Sequence, residues 1–365
     1  MATSITTSIE NVCMSSRLPD EINITTGASR VEVDIYMDHE RLFRSVYYPY
    51  KRSVKVRDIR LVVEAYMIEK KLTVGSFTME VYEPMDSSKP ASITYDENGD
   101  IEVDFGSDEQ EADAIVTGKK IVFCSCKSPY STSSFLLSNF LTTRQSALLP
   151  RNNNFRLSNY TKAAATGTNT ALIYYTTDGK PDVINRYKYT YDSVQSNIEG
   201  VVTKTLTHTH FKSLVDNGLN TDCKVLGVEY KIGSRQFGIF FTDEEPTEVF
   251  EFLSAFNIME TAYLYNTSTT KTEVERSEAV FGRQTQYFDQ SVKIKHEVET
   301  APLTYDEAMW LNQMLTSSYV TKQVKSLSIQ VLISDVSSEV TDSDKDLIRL
   351  KFSWRFADGN DWIEK

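Results

Sequence analysis

The chain has 365 residues, is 40% hydrophobic, and carries Asp+Glu 51 against Lys+Arg 39 for a net charge of −12. That length predicts two or three domains with true apolar cores, and the acidic balance argues against a protein that wraps nucleic acid, which needs clustered Lys and Arg. No stretch is long and apolar enough to span a bilayer, and Met1-Ala2-Thr3-Ser4-Ile5 lacks the basic start and apolar run of a signal peptide.

Period-two alternation, the pattern of half-buried strands, dominates from the start. Val31–Met37 has one apolar and one acidic face, and strands follow at Leu42–Tyr48 and Ser53–Ile59, broken by Tyr48-Pro49-Tyr50. Arg60–Lys70 predicts a short helix with Leu61, Ala65 and Ile68 inward. Thr73–Glu83 alternates again. Ser92–Phe105 predicts a hairpin around Asn98-Gly99, a pair suited to a type I′ turn. The acidic run Ser107–Asp113 predicts a linker, so residues 1–117 form a first, sandwich-like domain.

Residues 118–218 predict a second β-rich domain. It holds strands at Ile121–Cys126, Ala171–Tyr175, Tyr187–Tyr191 and Gly200–His210, a helix within Ser131–Leu141, and a mobile loop at Thr161–Asn169. Residues 219–365 predict a third. A hairpin, Val225–Ile232 with Gln236–Thr242, turns at Gly233-Ser234, and Val249–Met259 is a buried element of either type. Strands follow at Glu260–Tyr265, Lys271–Val280 and Ser291–Thr300. A helix over about 304–317 starts with a Thr304/Glu307 capping box, has Asp306 in its first turn, and turns Ala308, Leu311 and Leu315 inward. Strands Ser326–Ser334 and Leu347–Phe356 close the domain. The expected fold is all-β with one or two short helices, a multi-domain β-sandwich or β-barrel.

Residues that look chemical are few. His208-Thr209-His210, on an expected strand, would present two imidazoles on one face, but two ligands make no site, and His39 and His296 add none. Asp342-Ser343-Asp344-Lys345-Asp346 opens like a calcium loop, yet Leu347 stands where Gly is required and Ser353 where Glu is required, so a solvated acidic turn is expected. Cys13, Cys124, Cys126 and Cys223 read as free thiols. There is no G-x-S-x-G and no Gly-rich phosphate loop, and no pair of carboxylates stands out. No catalytic residue, cofactor or metal is expected.

Several segments resemble uncharacterised tail proteins of Bacteroides-infecting phages and prophages. They are Phe256–Tyr265, Thr269–Ser277, Val298–Thr304 and Leu350–Asp358, together with Tyr47-Tyr48-Pro49 and Phe123-Cys124-Ser125. The resemblance is strongest over residues 219–365 and departs from the family in the loop Thr316–Ser326. It implies a distal-tail-like virion structural protein of the tail tip or baseplate, made in the bacterial host cytoplasm, with a C-terminal domain of tail-tube type. Such a protein forms a homo-oligomeric ring between the tail tube and the host-recognition apparatus. Its implied partners are copies of itself and tube, tape-measure and hub proteins, without sequence-specific nucleic-acid binding, a membrane segment or enzymatic activity. The alternative is a receptor- or carbohydrate-binding module, for which Trp354 and Trp362 are the residues to find in a groove.

Overall fold

A computed structural model describes residues 2–83, 92–95, 101–104, 114–125, 133–161, 165–166, 168–191, 195–196, 200–220, 222–337 and 348–358. The protein is an all-β, multi-domain chain of several sheets with a few helices, and it divides into two compact units, Met1–Phe135 and Leu136–Lys365.

In the first unit, strands Val12–Met14, Lys120–Phe123, Val74–Tyr82, Val31–Met37 and Glu40–Tyr47 lie side by side in that order. Ser4–Ile5, Glu21–Thr25 and Ser53–Arg57 form a second, smaller sheet. Alternation works as expected: Phe77, Met79 and Val81 point inward from one strand, Val31, Val33 and Ile35 from its neighbour, and Ile22, Ile24, Val54 and Val56 from the other sheet. Helix α1, Ile59–Glu69, covers this core with Ile59, Val63 and Met67, an i, i+4, i+8 stripe, while Leu61 faces solvent. The inward face is therefore rotated from the expected Leu61, Ala65 and Ile68. Strands Ser92–Tyr95 and Ile101–Asp104 pair as the expected hairpin. The Asn98-Gly99 turn, the Ser107–Asp113 run and Cys126 lie outside the described residues.

The first boundary falls later than 117. Lys120–Phe123 pairs antiparallel with Val74–Phe77 and parallel with Val12–Met14, which locks it into the first unit. The boundary expected at 218/219 cuts a sheet in two. The hairpin Lys224–Ile232 with Arg235–Thr242 sits between Ser146–Pro150 and Asn169–Thr177, with Lys180–Thr190 at the edge. Periodicity tells which side chains point inward, not which strands become neighbours. Pro181 is tolerated because its strand is an edge, where a missing N–H breaks no ladder. Ala165–Thr166, inside the expected mobile loop, pairs with Gln195–Ser196.

The second unit also holds a seven-stranded sheet in the order Met259–Leu264, Glu248–Leu253, Val320–Val324, Leu327–Ser337, Lys351–Phe356, Gln284–Thr300, Asn266–Phe281. Its two edge strands are joined through Tyr265 alone, so Leu264 and Asn266 lie within about 7 Å of each other. The sheet must therefore curl until its edges nearly meet, as an open barrel. Its interior is filled by Phe250, Phe252, Phe352, Trp354 and Phe356, and by Ala308, Trp310, Leu311, Met314 and Leu315 of a helix spanning Tyr305–Thr316. The capping box expected there is present in full, Thr304 and Glu307 each closing on the other's backbone. Val249–Met259 resolves into the strand Glu248–Leu253 and a turn, and Thr316–Ser326 contains the strand Val320–Val324.

A buried polar cluster ties the five-stranded layer to this barrel within the second unit. Glu260 Oε2 accepts hydrogen bonds from Trp310 Nε1 at 2.7 Å and Thr142 Oγ1 at 3.1 Å. The Arg144 guanidinium lies 3.7 Å from the centre of the Trp310 ring and 3.9 Å from Glu260 Oε2. Tyr263 adds a hydrogen bond from its hydroxyl to the Asn154 carbonyl at 2.8 Å.

Candidate assembly surface

The hairpin Asn266–Phe281 with Gln284–Thr300 is far longer than the sheet that carries it. Its strands pair from Asn266↔Thr300 to Phe281↔Gln284, closing at Gly282, whose φ of 65 is the left-handed conformation that glycine adopts freely. Among the described residues, only His296–Glu299 also pair with a third strand, Lys351–Trp354. From Lys271↔Lys295 outward the hairpin is a two-stranded ribbon among the described residues. At ~3.4 Å per residue, Lys271 to Phe281 makes an arm of roughly 37 Å.

The arm has two unlike faces. Residues opposite one another in an antiparallel pair share a face, so Thr272 with Ile294, Val274 with Val292, Arg276 with Gln290, and, past a bulge at Phe288, Glu278 with Tyr287 and Val280 with Thr285 continue the side on which His296 and Val298 enter the core, with the Arg276 guanidinium 4.9 Å from the Tyr287 ring centre. The other face carries Lys271, Lys295, Glu273, Lys293, Glu275 and Asp289, with Lys293 Nζ 3.5 Å from a Glu275 carboxylate oxygen. This more apolar side is open to water: Val274, Val280, Tyr287 and Val292 on it, with Phe288 at the bulge and Phe281 at the tip, are between 45% and 74% exposed. A bare ribbon is at best marginally stable in water, and large apolar side chains exposed together along it mark a contact surface. Among the described residues, the long outer edge of Asn266–Phe281 also pairs with no further strand, which leaves backbone groups open to one.

The residues singled out from sequence lie elsewhere. His208 and His210 are not on a strand: Gly200–Thr207 ends there, and they open the helix His208–Leu219, where residues two apart point to different sides. Thr207 caps that helix, its side chain accepting the His210 N–H. His208 Nε2 lies 2.8 Å from Arg151 Nη1, whereas His210 Nε2 is 3.1 Å from the Tyr191 hydroxyl. His39 sits in a turn, and His296 is stacked on Trp354 at 4.0 Å in the barrel core. Trp354 is itself fully buried, so it offers no ring to a ligand; Trp362 and Asp342–Asp346 lie outside the described residues. Cys13, Cys124 and Cys223 are buried, and burial pushes the Cys13 thiol up to about 11 and the Cys223 thiol to about 12.

Arg151 is always charged and can only donate, so His208 must accept and is neutral. Burial first, then Arg151, holds its pKa below the usual histidine value. Lys212 also disfavours the imidazolium, while Asp243 and a backbone contact with Val225 oppose them in part. The unfolded chain therefore binds a proton here before the folded chain does, and stability present above the ordinary histidine pKa is lost as pH falls below it. Thermal unfolding followed from about pH 7.5 down to about pH 5 should show a falling midpoint. His208→Gln, whose amide oxygen can accept from Arg151, should flatten that slope; an unchanged slope would assign it to other groups.

No family model matches the chain, and neither does any curated protein. Among solved structures, the crystal structure of calcium binding domain CBD12 of CALX1.1 is similar with a TM-score of 0.19 and 10% identity, covering 64% of this chain and 79% of that one. A likeness that slight carries no argument.

Proposed function

We propose that this chain is a structural protein of a phage tail tip or baseplate. Copies of it join into a ring between the tail tube and the host-recognition apparatus, in contact with tube, tape-measure and hub proteins of the virion. The observation that carries this is the arm. A ~37 Å ribbon that exposes Val274, Val280, Phe281, Tyr287, Phe288 and Val292 and has one edge free among the described residues is poorly suited to a lone chain and well suited to lying across a neighbour. A neighbouring copy would cover the apolar side and extend the edge, the two needs that a single chain leaves unmet. The open barrel with one packed helix agrees with the tube-type domain that the segments in 219–365 resemble. The role is one of assembly, and no side chain is assigned a catalytic part.

The test is the mass of the intact protein in solution by light scattering, with negative-stain microscopy of the same sample. Closed rings of fixed copy number are expected. A chain that stays monomeric up to its solubility limit would sink the self-assembly reading.

A further inference from the structure

At one end of the first unit a two-residue turn is built from the wrong residues for its shape. The Tyr50 N–H and carbonyl both pair with Ser53 at 3.0 Å, leaving Lys51 and Arg52 as the turn, with φ of 50 and 66. Two consecutive left-handed residues define a type I′ turn, for which Asn-Gly is the favoured pair because long side chains are strained there. Lys51 and Arg52 are held in place nonetheless, with the Arg52 carbonyl accepting the Thr26 N–H at 3.0 Å. Strain kept at an exposed position points to a use for the side chains rather than for the turn.

Those side chains form a consistent set. Tyr48 and Tyr50, on the approach to the turn, are 74% and 76% exposed. The Lys51 ammonium lies 5.3 Å from the Tyr50 ring centre. Arg30 precedes Val31, whose strand partner is Tyr47, so it belongs to the same end of the unit. Elsewhere in this unit Arg41, Arg44, Lys55, Arg57, Arg60 and Lys70 all have carboxylate partners. Arg30, Lys51 and Arg52 have none among the described residues. The tip is thus an exposed turn that brings two tyrosines together with cations that have no ion-pair partner among the described residues, on a chain whose net charge is −12. Tyr and Arg are the residue types that dominate binding energy at protein interfaces, and a turn already fixed in shape loses little freedom on docking.

We infer that this tip, Tyr48 to Arg52 with Arg30, docks onto an acidic surface of a second copy of the chain. Charge complementarity selects that occupant. Without these three cations the chain would carry a net charge of −12 − 3 = −15, so the tip of one copy is drawn to the acidic balance of the next. A tip on one copy and a different surface on the next make a heterologous contact, the kind that closes into rings. The inference rests on the ring reading and adds to it a contact separate from the arm.

The decisive variant is Lys51→Asn/Arg52→Gly, which installs the pair the turn prefers and removes both cations. It should raise the unfolding midpoint of the first unit and at the same time weaken association by about tenfold or more. Wild-type association should also weaken when salt is raised from about 50 mM to about 500 mM. Tyr48→Ala/Tyr50→Ala should weaken it without that change in salt response. Rings that form equally well in the Asn-Gly variant overturn the inference and leave the ring reading standing. Tip-dependent pairs that never close into a ring do the reverse. A wild-type chain that stays monomeric overturns both.

Discussion

Replacing Arg144 with methionine should destabilise the second unit by roughly 3–5 kcal/mol, read as a lower denaturant midpoint for that unit's transition. Arg144 and Glu260 are each less than a tenth exposed, so neither charge can turn to water when its partner is lost. Burial pushes the Arg144 guanidinium down to about 10, which still leaves it charged at neutral pH, and the same burial pushes the Glu260 carboxyl up. In the variant the carboxylate would keep the Trp310 N–H and the Thr142 hydroxyl but lose its only nearby cation. The methionine would also forfeit the guanidinium stacked on Trp310, a contact of about 1–2 kcal/mol when desolvated. The double variant Arg144→Met/Glu260→Leu is the informative control. With both charges gone no charge is left unpaired, but the Trp310 N–H and the Thr142 hydroxyl lose their acceptor, so only part of the loss should return. A single-variant loss below about 1 kcal/mol would mean that the pair is solvated and behaves as a surface ion pair.

That cluster shows where sequence reasoning stops. Arg144, Glu260 and Trp310 come from three distant parts of the chain, and no local pattern announces that they meet. The capping box at Thr304 and Glu307 was legible because its partners lie three residues apart and the chemistry is local. The strands were legible for the same reason, since alternation is a property of neighbours. Their partners were not: Lys120–Phe123 looks the same whether it opens a new domain or completes an old sheet. His208-Thr209-His210 was misassigned because alternation ran on through Gly200–Thr207. The better signal was Thr207 as a helix cap, followed by Phe211 and Val215 at helical spacing. The arm was half visible. Lys271–Val280 and Ser291–Thr300 both read as strands, but as separate ones, because Gly282 was not recognised as the turn of one continuous ribbon. The expected residues for a binding groove failed at Trp354 for a plain physical reason: its strand turns that side chain into the barrel, against Phe250 and His296.

Shortening the arm should abolish ring formation while leaving the fold intact. A variant that joins Glu273 to Lys293 through an Asn-Gly turn deletes Val274 through Val292, a span whose described side chains lie outside the barrel core. Because the removed side chains are not part of that core, the unfolding midpoint of the second unit should hardly change. Association should change greatly. Val274, Val280, Phe281, Tyr287, Phe288 and Val292 are all at least 45% exposed in the single chain. Covering each of them by a neighbour is worth about 1 kcal/mol or more, so losing the group should weaken each contact by roughly a thousandfold or more. A gentler variant, Val274→Lys/Val292→Lys, keeps the ribbon and its edge but places two charges opposite each other on the apolar side. If contact is made through that side, this variant should fail to assemble almost as completely as the deletion. If it assembles normally while the deletion does not, the neighbour is reading the backbone edge of Asn266–Phe281, and the apolar side faces something other than a second copy. Should both variants form rings like the wild type, the arm is not the assembly element, and the proposed function loses the observation it stands on.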